Sequence, residues 1–472
     1  SFLSFFLMTS LLLSTLVLLV LSLCASSLQL KGGPGAQWDY DQYNVGDWNR
    51  TYGMTEPQQI HISISSQAEY AKVQFATQGE VNTAILNYWP KASPHKAIVI
   101  EGGENWAFVD NGTAHHTIYL HNLQTLKLKP ATVFQYKVGT KDNHGKVTWS
   151  KGEFEFHTAR RGNTVNFVAT ADLGLVNAVA MPALQRLAKS HKYDFLTLSG
   201  DQAYDMADFN GTKGDEYMRF AENLFANIPF MGAVGNHESA YNFTHWKNRF
   251  NNVPFQKSGF SNPMQYSYDY KSLHIVAWSS EGAFEGSTNE ILTSLNWLEN
   301  DLKEANRNRK VRPWIIVLGH RPMYCTSFSS PTDGTCITET QTIREGLVDP
   351  TTNTRQHGVE ALLKKYKVDI YLCGHRHNFE RTYPVYNGQV TSKSYHNAPS
   401  TFQYLVGNSG NYELTIPFNT TGPFPAWSAS RYSGYGFSTV KATQNSLELT
   451  HYGVDNNGTH ERVIDHVVVT KD

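Results

Sequence analysis

Five short apolar runs in this 472-residue chain each end in a residue able to bind a metal ion. Val168-Ala169-Thr170-Ala171 runs into Asp172, and Leu196-Thr197-Leu198-Ser199-Gly200 runs into Asp201, with Tyr204 three residues on. Gly232-Ala233-Val234-Gly235 precedes Asn236-His237-Glu238, Ile316-Val317-Leu318-Gly319 precedes His320, and Tyr371-Leu372-Cys373-Gly374 precedes His375-Arg376-His377. Each residue has an ordinary reading when taken alone. An aspartate after a strand is often a helix N-cap, and a lone histidine beside an apolar run is usually a core or surface side chain. Five such ends in succession, all ligand types, point to one shared site. Carboxylate and phenolate oxygens suit a hard trivalent ion, while imidazole and amide suit divalent Zn, Fe or Mn. A carboxylate shared by two ions holds them roughly 3.5–4 Å apart, a spacing that clamps both oxygens of an in-line phosphoryl displacement.

The elements that must position these residues follow from the same segment. From Asn163 onward, apolar runs of strand length alternate with amphipathic helical stretches, including 178–190, 217–225, 292–305 and 359–366. That alternation predicts a layered α/β core with mostly parallel strands covered on both faces. In such sheets the carboxyl ends of the strands form the ligand crevice, so the five loops should converge. The glycines before Asp201, Asn236, His320 and His375 let the backbone turn sharply there and leave room beside it.

Upstream, residues 55–160 read as short alternating strands, such as Ile60-His61-Ile62-Ser63-Ile64 and Thr132 to Val138, and predict an independent β-sandwich. Beyond about Ser400 the β pattern returns, as an extension over 401–472 packed on the 161–400 domain.

Residues 1–27 are apolar and uncharged, and small residues Cys24 to Ser27 precede Leu28, which fits a cleaved secretory leader; an uncleaved anchor is the competing reading. Secretion agrees with six Asn-x-Ser/Thr sequons, at Asn49, Asn111, Asn210, Asn242, Asn419 and Asn457. Cys325 and Cys336 bracket a polar loop, where a disulfide or two buried thiols both fit, and Cys373 ends an apolar run as a buried thiol. With 40 basic and 41 acidic side chains and no Lys/Arg run, nothing provides a nucleic-acid footprint.

The series Asp172-Leu173-Gly174, Gly200-Asp201-Gln202-Ala203-Tyr204, Gly235-Asn236-His237-Glu238, Val317-Leu318-Gly319-His320 and Gly374-His375-Arg376-His377 resembles the five blocks of the purple acid phosphatases, within the metallophosphoesterase superfamily. The flanking sequence His320-Arg321-Pro322-Met323-Tyr324-Cys325 is similar to the animal-type long forms. The resemblance implies a fibronectin type III-like sandwich before the catalytic domain. It assigns Asp172, Tyr204 and His377 to a ferric ion, Asp201 as a bridge, and Asn236, His320 and His375 to a divalent ion. It further implies a secreted enzyme of an extracellular or lysosome-like compartment, in which a metal-bound hydroxide attacks small phosphate monoesters.

Two departures from the family pattern matter. Ala171 stands where glycine is common, and Ser329 and Ser330 stand where plant members carry a histidine pair. His237 is therefore the candidate general acid. Asn236, His237, Arg321 and Arg376 are candidate phosphate contacts, with a surface salt bridge as the plain reading of both arginines. A phosphodiesterase or nucleotide pyrophosphatase with the same metals is the nearer alternative. An inactive binding or storage glycoprotein is the more distant one, and the presence of all seven ligands speaks against it. Oligomeric state stays open.

Overall fold

The computed structural model describes residues 48–328, 334–418 and 423–472. The predicted leader 1–27, Asn419, Ser329 and Ser330 lie outside the described residues.

Alternating apolar residues build two antiparallel sheets in the N-terminal region. One runs in the order Gln58–Ile64, Ala71–Thr77, Thr117–Gln124, Glu104–Val109. The other places Thr83–Pro90 between Ile98–Glu101 and Val133–Lys141, with Val147–Trp149 and Phe154–His157 on the latter. Their inner faces enclose Ile60, Ile62, Val73, Phe75, Leu86, Tyr88, Phe134 and Tyr136. This sandwich is joined to the rest of the chain by polar links, among them Phe230 N–H to the Ile62 carbonyl at 2.8 Å and Tyr136 Oη–H to the Ala226 carbonyl at 2.7 Å.

The remaining chain forms the expected layered α/β core, with its parallel strands divided between two sheets and antiparallel strands beside them. Two sheets pack face to face. The five-stranded one runs Phe195–Leu198, Val165–Thr170, Gly436–Ala442, Ser446–Val454, Glu461–Thr470, and only its first pair is parallel. The seven-stranded one runs Tyr266–Tyr270, Leu273–Ala277, Trp314–Leu318, Ile370–Cys373, Phe402–Val406, Phe379–Thr382, Ser428–Tyr432, parallel in the middle and antiparallel at both margins. Phe167, Phe195 and Leu449 of the first meet Ile275, Ile316, Ile370 and Phe402 of the second in one dry core. Strands beyond residue 401 thus complete both sheets from within, because they supply the second partner that Val165–Thr170 and Ile370–Cys373 require for their backbone groups.

The helix Thr288–Arg307 covers the outer face of the larger sheet. Ser287 and Glu290 close its N-terminus as a capping box. The stripe Ile291, Leu295, Leu298, Leu302 lies on Val276, Ile315 and Val317, each leucine contributing about 1.5–3 kcal/mol by burial. Among the described residues no helix is long and apolar enough to cross a membrane. Asn49, Asn111, Asn242 and Asn457 are exposed and Asn210 is partly exposed. Cys325 and Cys336 are disulfide-bonded, and Cys373 is a buried thiol.

A histidine adds an ionic fastening between that helix and the sheet edge. His274 is clasped by Asp269 (2.9 Å from Nδ1) and Asp301 (2.7 Å from Nε2), with Arg312 3.4 Å from Asp269. Burial disfavours the imidazolium, and the two carboxylates outweigh it, raising His274 to about 9. Arg312 and Lys257 act on the pair only through Asp269. A raised folded value contributes stability in full below the unfolded value of about 6.5 and loses it as pH rises through about 9. His274→Gln should therefore cost up to about 3 kcal/mol at pH 5, and the gap in melting temperature from the parent protein should close by pH 9.5. A gap independent of pH would contradict this role.

Candidate metal centre

The two sheets bring their carboxyl ends to one seam. Asp172 follows Val165–Thr170 and Asp201 follows Phe195–Leu198 in one sheet. His320 follows Trp314–Leu318, and His375 and His377 follow Ile370–Cys373, in the other. Asn236 enters from the segment that bridges Ser199 through Ala233 in parallel. The seven residues predicted as ligands are all brought together here.

They form two adjoining groups. In one, His320 Nε2 lies 2.9 Å from Asn236 Oδ1 and 3.0 Å from Asp201 Oδ2. Asp201, His320 and His375 offer ligand atoms all within 4.8 Å of one another. In the other, Tyr204 Oη lies 2.8 Å from His377 Nε2 and 3.3 Å from Asp172 Oδ1. Backbone carbonyls fix two of the rings: His320 Nδ1 is 2.8 Å from the Ser199 carbonyl, and His377 Nδ1 is 3.0 Å from that of Leu414. With Nδ1–H donating there, each Nε2 lone pair faces the centre, the orientation a metal-binding histidine needs.

The local backbone is strained to do this. Asp172, Asp201, Tyr204 and His375 all have φ between 52° and 69°, a left-handed conformation that persists only where the surroundings over-determine it. Glu238 supplies much of that restraint, its carboxylate accepting from the backbone N–H of Asp201 (3.0 Å), Gln202 (2.8 Å) and Gly235 (2.8 Å). Two glycines are required by close approach. A Cβ on Gly200 would lie 2.2 Å from His320 Nδ1, and one on Gly374 would lie 2.2 Å from Asp172 Oδ2.

The electrostatics of the donor set fit a pair of cations. Burial pushes the Asp172 carboxyl well above its usual range, opposed by His320 and reinforced by Asp201. Burial also drives the Tyr204 phenol well up, with Asp172 and Asp201 adding to it, and holds His377 down at about 3. Two abutting buried carboxylates, a phenol and imidazoles with inward lone pairs lack positive charge, and metal ions supply it.

His237 stands at the rim. Its Nδ1 is 3.1 Å from Asp205 Oδ1, and its ring centroid is 4.4 Å from that of Tyr204. Burial lowers its basicity, and Asp201 followed by Asp205 outweighs this, raising it to about 9; cations beside it would pull that value back down.

Three acidic residues were not singled out by the motifs. Glu413 lies 3.7 Å from His237 Nε2 and 3.8 Å from His377 Nε2. Glu339 lies 3.0 Å from His375 Nε2 and 2.5 Å from the Arg321 guanidinium, whose Nε donates to Glu281 at 3.0 Å. Arg321 is thus buried between two carboxylates, not in a surface salt bridge. Arg376 is also buried, and its Nε donates to Ser327 Oγ at 2.9 Å.

Comparison with known proteins covers almost the whole described chain. Residues 165–379 match the calcineurin-like phosphoesterase family, residues 57–158 the purple acid phosphatase N-terminal domain, and residues 400–465 the iron/zinc purple acid phosphatase-like protein C family. The chain is 32% identical to acid phosphatase type 7 of Mus musculus over 432 residues, covering 89% of this chain and 92% of that protein. It is 28% identical to the phosphoenolpyruvate phosphatase of Allium cepa, covering 86% and 80%. In fold it resembles the purple acid phosphatase PPD1 of yellow lupin, with a TM-score of 0.70 at 20% identity over 89% of this chain and 75% of that one.

Proposed function

The chain belongs to the purple acid phosphatases, and from that premise we propose that it hydrolyses phosphate monoesters at an Fe(III)–M(II) centre, M being Zn, Fe or Mn. It is an acid phosphatase with the dinuclear centre its family implies. The observation that carries the finer reading is the buried Tyr204 phenol between His377 and Asp172. A phenol so hard to ionise becomes a ligand only beside a strongly polarising ion, and Fe(III) is the hard trivalent choice. Asp172, Tyr204 and His377 would hold it, Asp201 would be shared, and Asn236, His320 and His375 would hold the divalent ion.

When bound, the two ions supply an activated water and positive charge for the phosphate oxygens. The chain's own groups do the rest. Asn236 and His237 face the phosphate at the rim. Asp205 fixes the His237 ring through Nδ1, leaving Nε2 to deliver a proton to the departing alkoxide. Arg321 and Arg376 sit behind the ligand loops, where Arg321 reaches within 3.4 Å of His375, so both act on charge at the site from one layer back. The predicted leader and the sequons support a secretory or lysosome-like compartment.

Chelated protein should lose turnover of p-nitrophenyl phosphate at pH 5 and recover it with iron plus a divalent ion, while bis(p-nitrophenyl) phosphate remains the poorer substrate. Faster diester hydrolysis would replace this reading with a phosphodiesterase. Undiminished turnover after complete metal removal would end it.

A further inference from the structure

The segment carrying Tyr204 and Asp205 is held in place by a part of the molecule that never reaches the metal centre. Tyr204, Asp205, Phe209 and Asn210 have φ of 58°, 72°, 54° and 56°. Four left-handed non-glycine residues in one short stretch need restraint from outside it. Part of that restraint comes from the sandwich turn 110–116. Thr113 Oγ1 and Ala114 N–H both donate to Asn210 Oδ1, at 3.1 and 3.2 Å.

Beneath this contact runs a buried polar chain that crosses between the two regions. His116 Nε2 is 2.7 Å from Asp215, which is 2.8 Å from Arg249. Arg249 donates to the Gly211 carbonyl at 3.2 Å and, through Nε, to His245 Nδ1 at 3.1 Å. His245 must therefore donate from Nε2, and it does so to Asp110 at 2.8 Å. Asp110 returns to its own turn, accepting Gly112 N–H at 2.7 Å. Asp110, Asp215, His245 and Arg249 are each no more than 3% exposed, so apart from the partly exposed His116 end the chain is shielded from water.

We propose that the sandwich turn 110–116 is a clamp that holds Tyr204 and Asp205 in register with His237, making Asp110, Thr113 and His116 positioning residues for the reaction. The catalytic readout rests on the phosphatase reading above; the structural readout does not. The clamp tolerates no slack. A Cβ on Gly112 would lie 2.6 Å from Asp110 Oδ1 and 2.8 Å from Asn210 Oδ1, so one methyl group displaces the two side chains through which the turn and the loop are joined. A glycan on Asn210 would bond its Nδ2 and leave Oδ1 to accept as before.

The test uses the full chain with its metals. Gly112→Ala should lower kcat for p-nitrophenyl phosphate about five- to fiftyfold with KM changed less than about twofold, as a small misplacement of catalytic groups does. Amide exchange across 204–214 should quicken while the sandwich strands at 83–90 and 133–141 stay protected. Thr113→Val should repeat both effects more mildly and Thr113→Ser should restore them, which decides the matter if Gly112→Ala does not fold. Tyr136→Phe removes a hydrogen bond across the same interface but away from the loop, and should leave kcat unchanged. The clamp is refuted if exchange across 204–214 does not respond to the turn variants. It is equally refuted if Tyr136→Phe costs as much as they do, since the interface would then serve cohesion alone. Absence of phosphatase activity in the parent protein would sink the functional reading and leave exchange to judge the clamp.

Discussion

Asp201→Asn should leave a folded protein that retains neither ion firmly and loses more than about 10⁴ in kcat, beyond what a single proton donor supplies. The carboxylate is the ligand proposed to be shared by the two ions. Its Oδ1 accepts the His237 N–H at 3.0 Å, its Oδ2 lies 3.0 Å from His320 Nε2, and it shares a three-residue site with His320 and His375. Asparagine keeps the shape and removes the charge, so the backbone contacts of Glu238 to this loop survive and the fold with them. Metal content and kcat should fall together. Full activity with both ions in the variant would show that Asp201 is not the shared ligand.

His237→Ala should act differently, lowering kcat by about 10²–10⁴ while both ions stay bound. The ring touches no predicted ligand atom with its nitrogens; Nδ1 goes to Asp205 and Nε2 faces Glu413 at 3.7 Å. A proton donor matters most when the leaving group is a poor one, so alkyl phosphates should suffer more than aryl phosphates. Asn236→Ala, by contrast, should weaken the divalent ion and depress all substrates together, because Oδ1 sits 2.9 Å from His320 Nε2. Loss of a metal in His237→Ala would make the residue structural. Equal losses on alkyl and aryl substrates would make it a phosphate contact and leave the acid to another group, with Glu413, 3.7 Å from Nε2, a candidate.

The fold class and the gathering of the candidate ligands were legible in the sequence, and the sheet order was not. Ligand residues at strand ends can be read from local pattern, because strand, glycine and ligand are adjacent in sequence. Sheet membership cannot. The antiparallel partner of Val165–Thr170 is Gly436–Ala442, more than two hundred residues away, and no local period announces it. That is why the layered α/β core could be expected from the sequence, while its division into two packed sheets with antiparallel margins could not. Glu413 had a signal that went unused: it lies in the loop after Phe402–Val406, a strand parallel to Ile370–Cys373 and ending at the same edge. Glu339 and Glu281 had none, since neither belongs to a motif, and only the fold brings them to Arg321. The role of the sandwich was equally hidden, its contacts with residues 210–249 being long-range by nature.

The central claim is a dinuclear centre with a tyrosinate-bound ferric ion, and metal analysis joined to visible spectroscopy on the parent protein and Tyr204→Phe tests it most directly. The account predicts two ions per chain, at least one of them iron, and a visible band that disappears in Tyr204→Phe without loss of the fold. A colourless parent protein holding two zinc ions, or a band that persists in Tyr204→Phe, would contradict it.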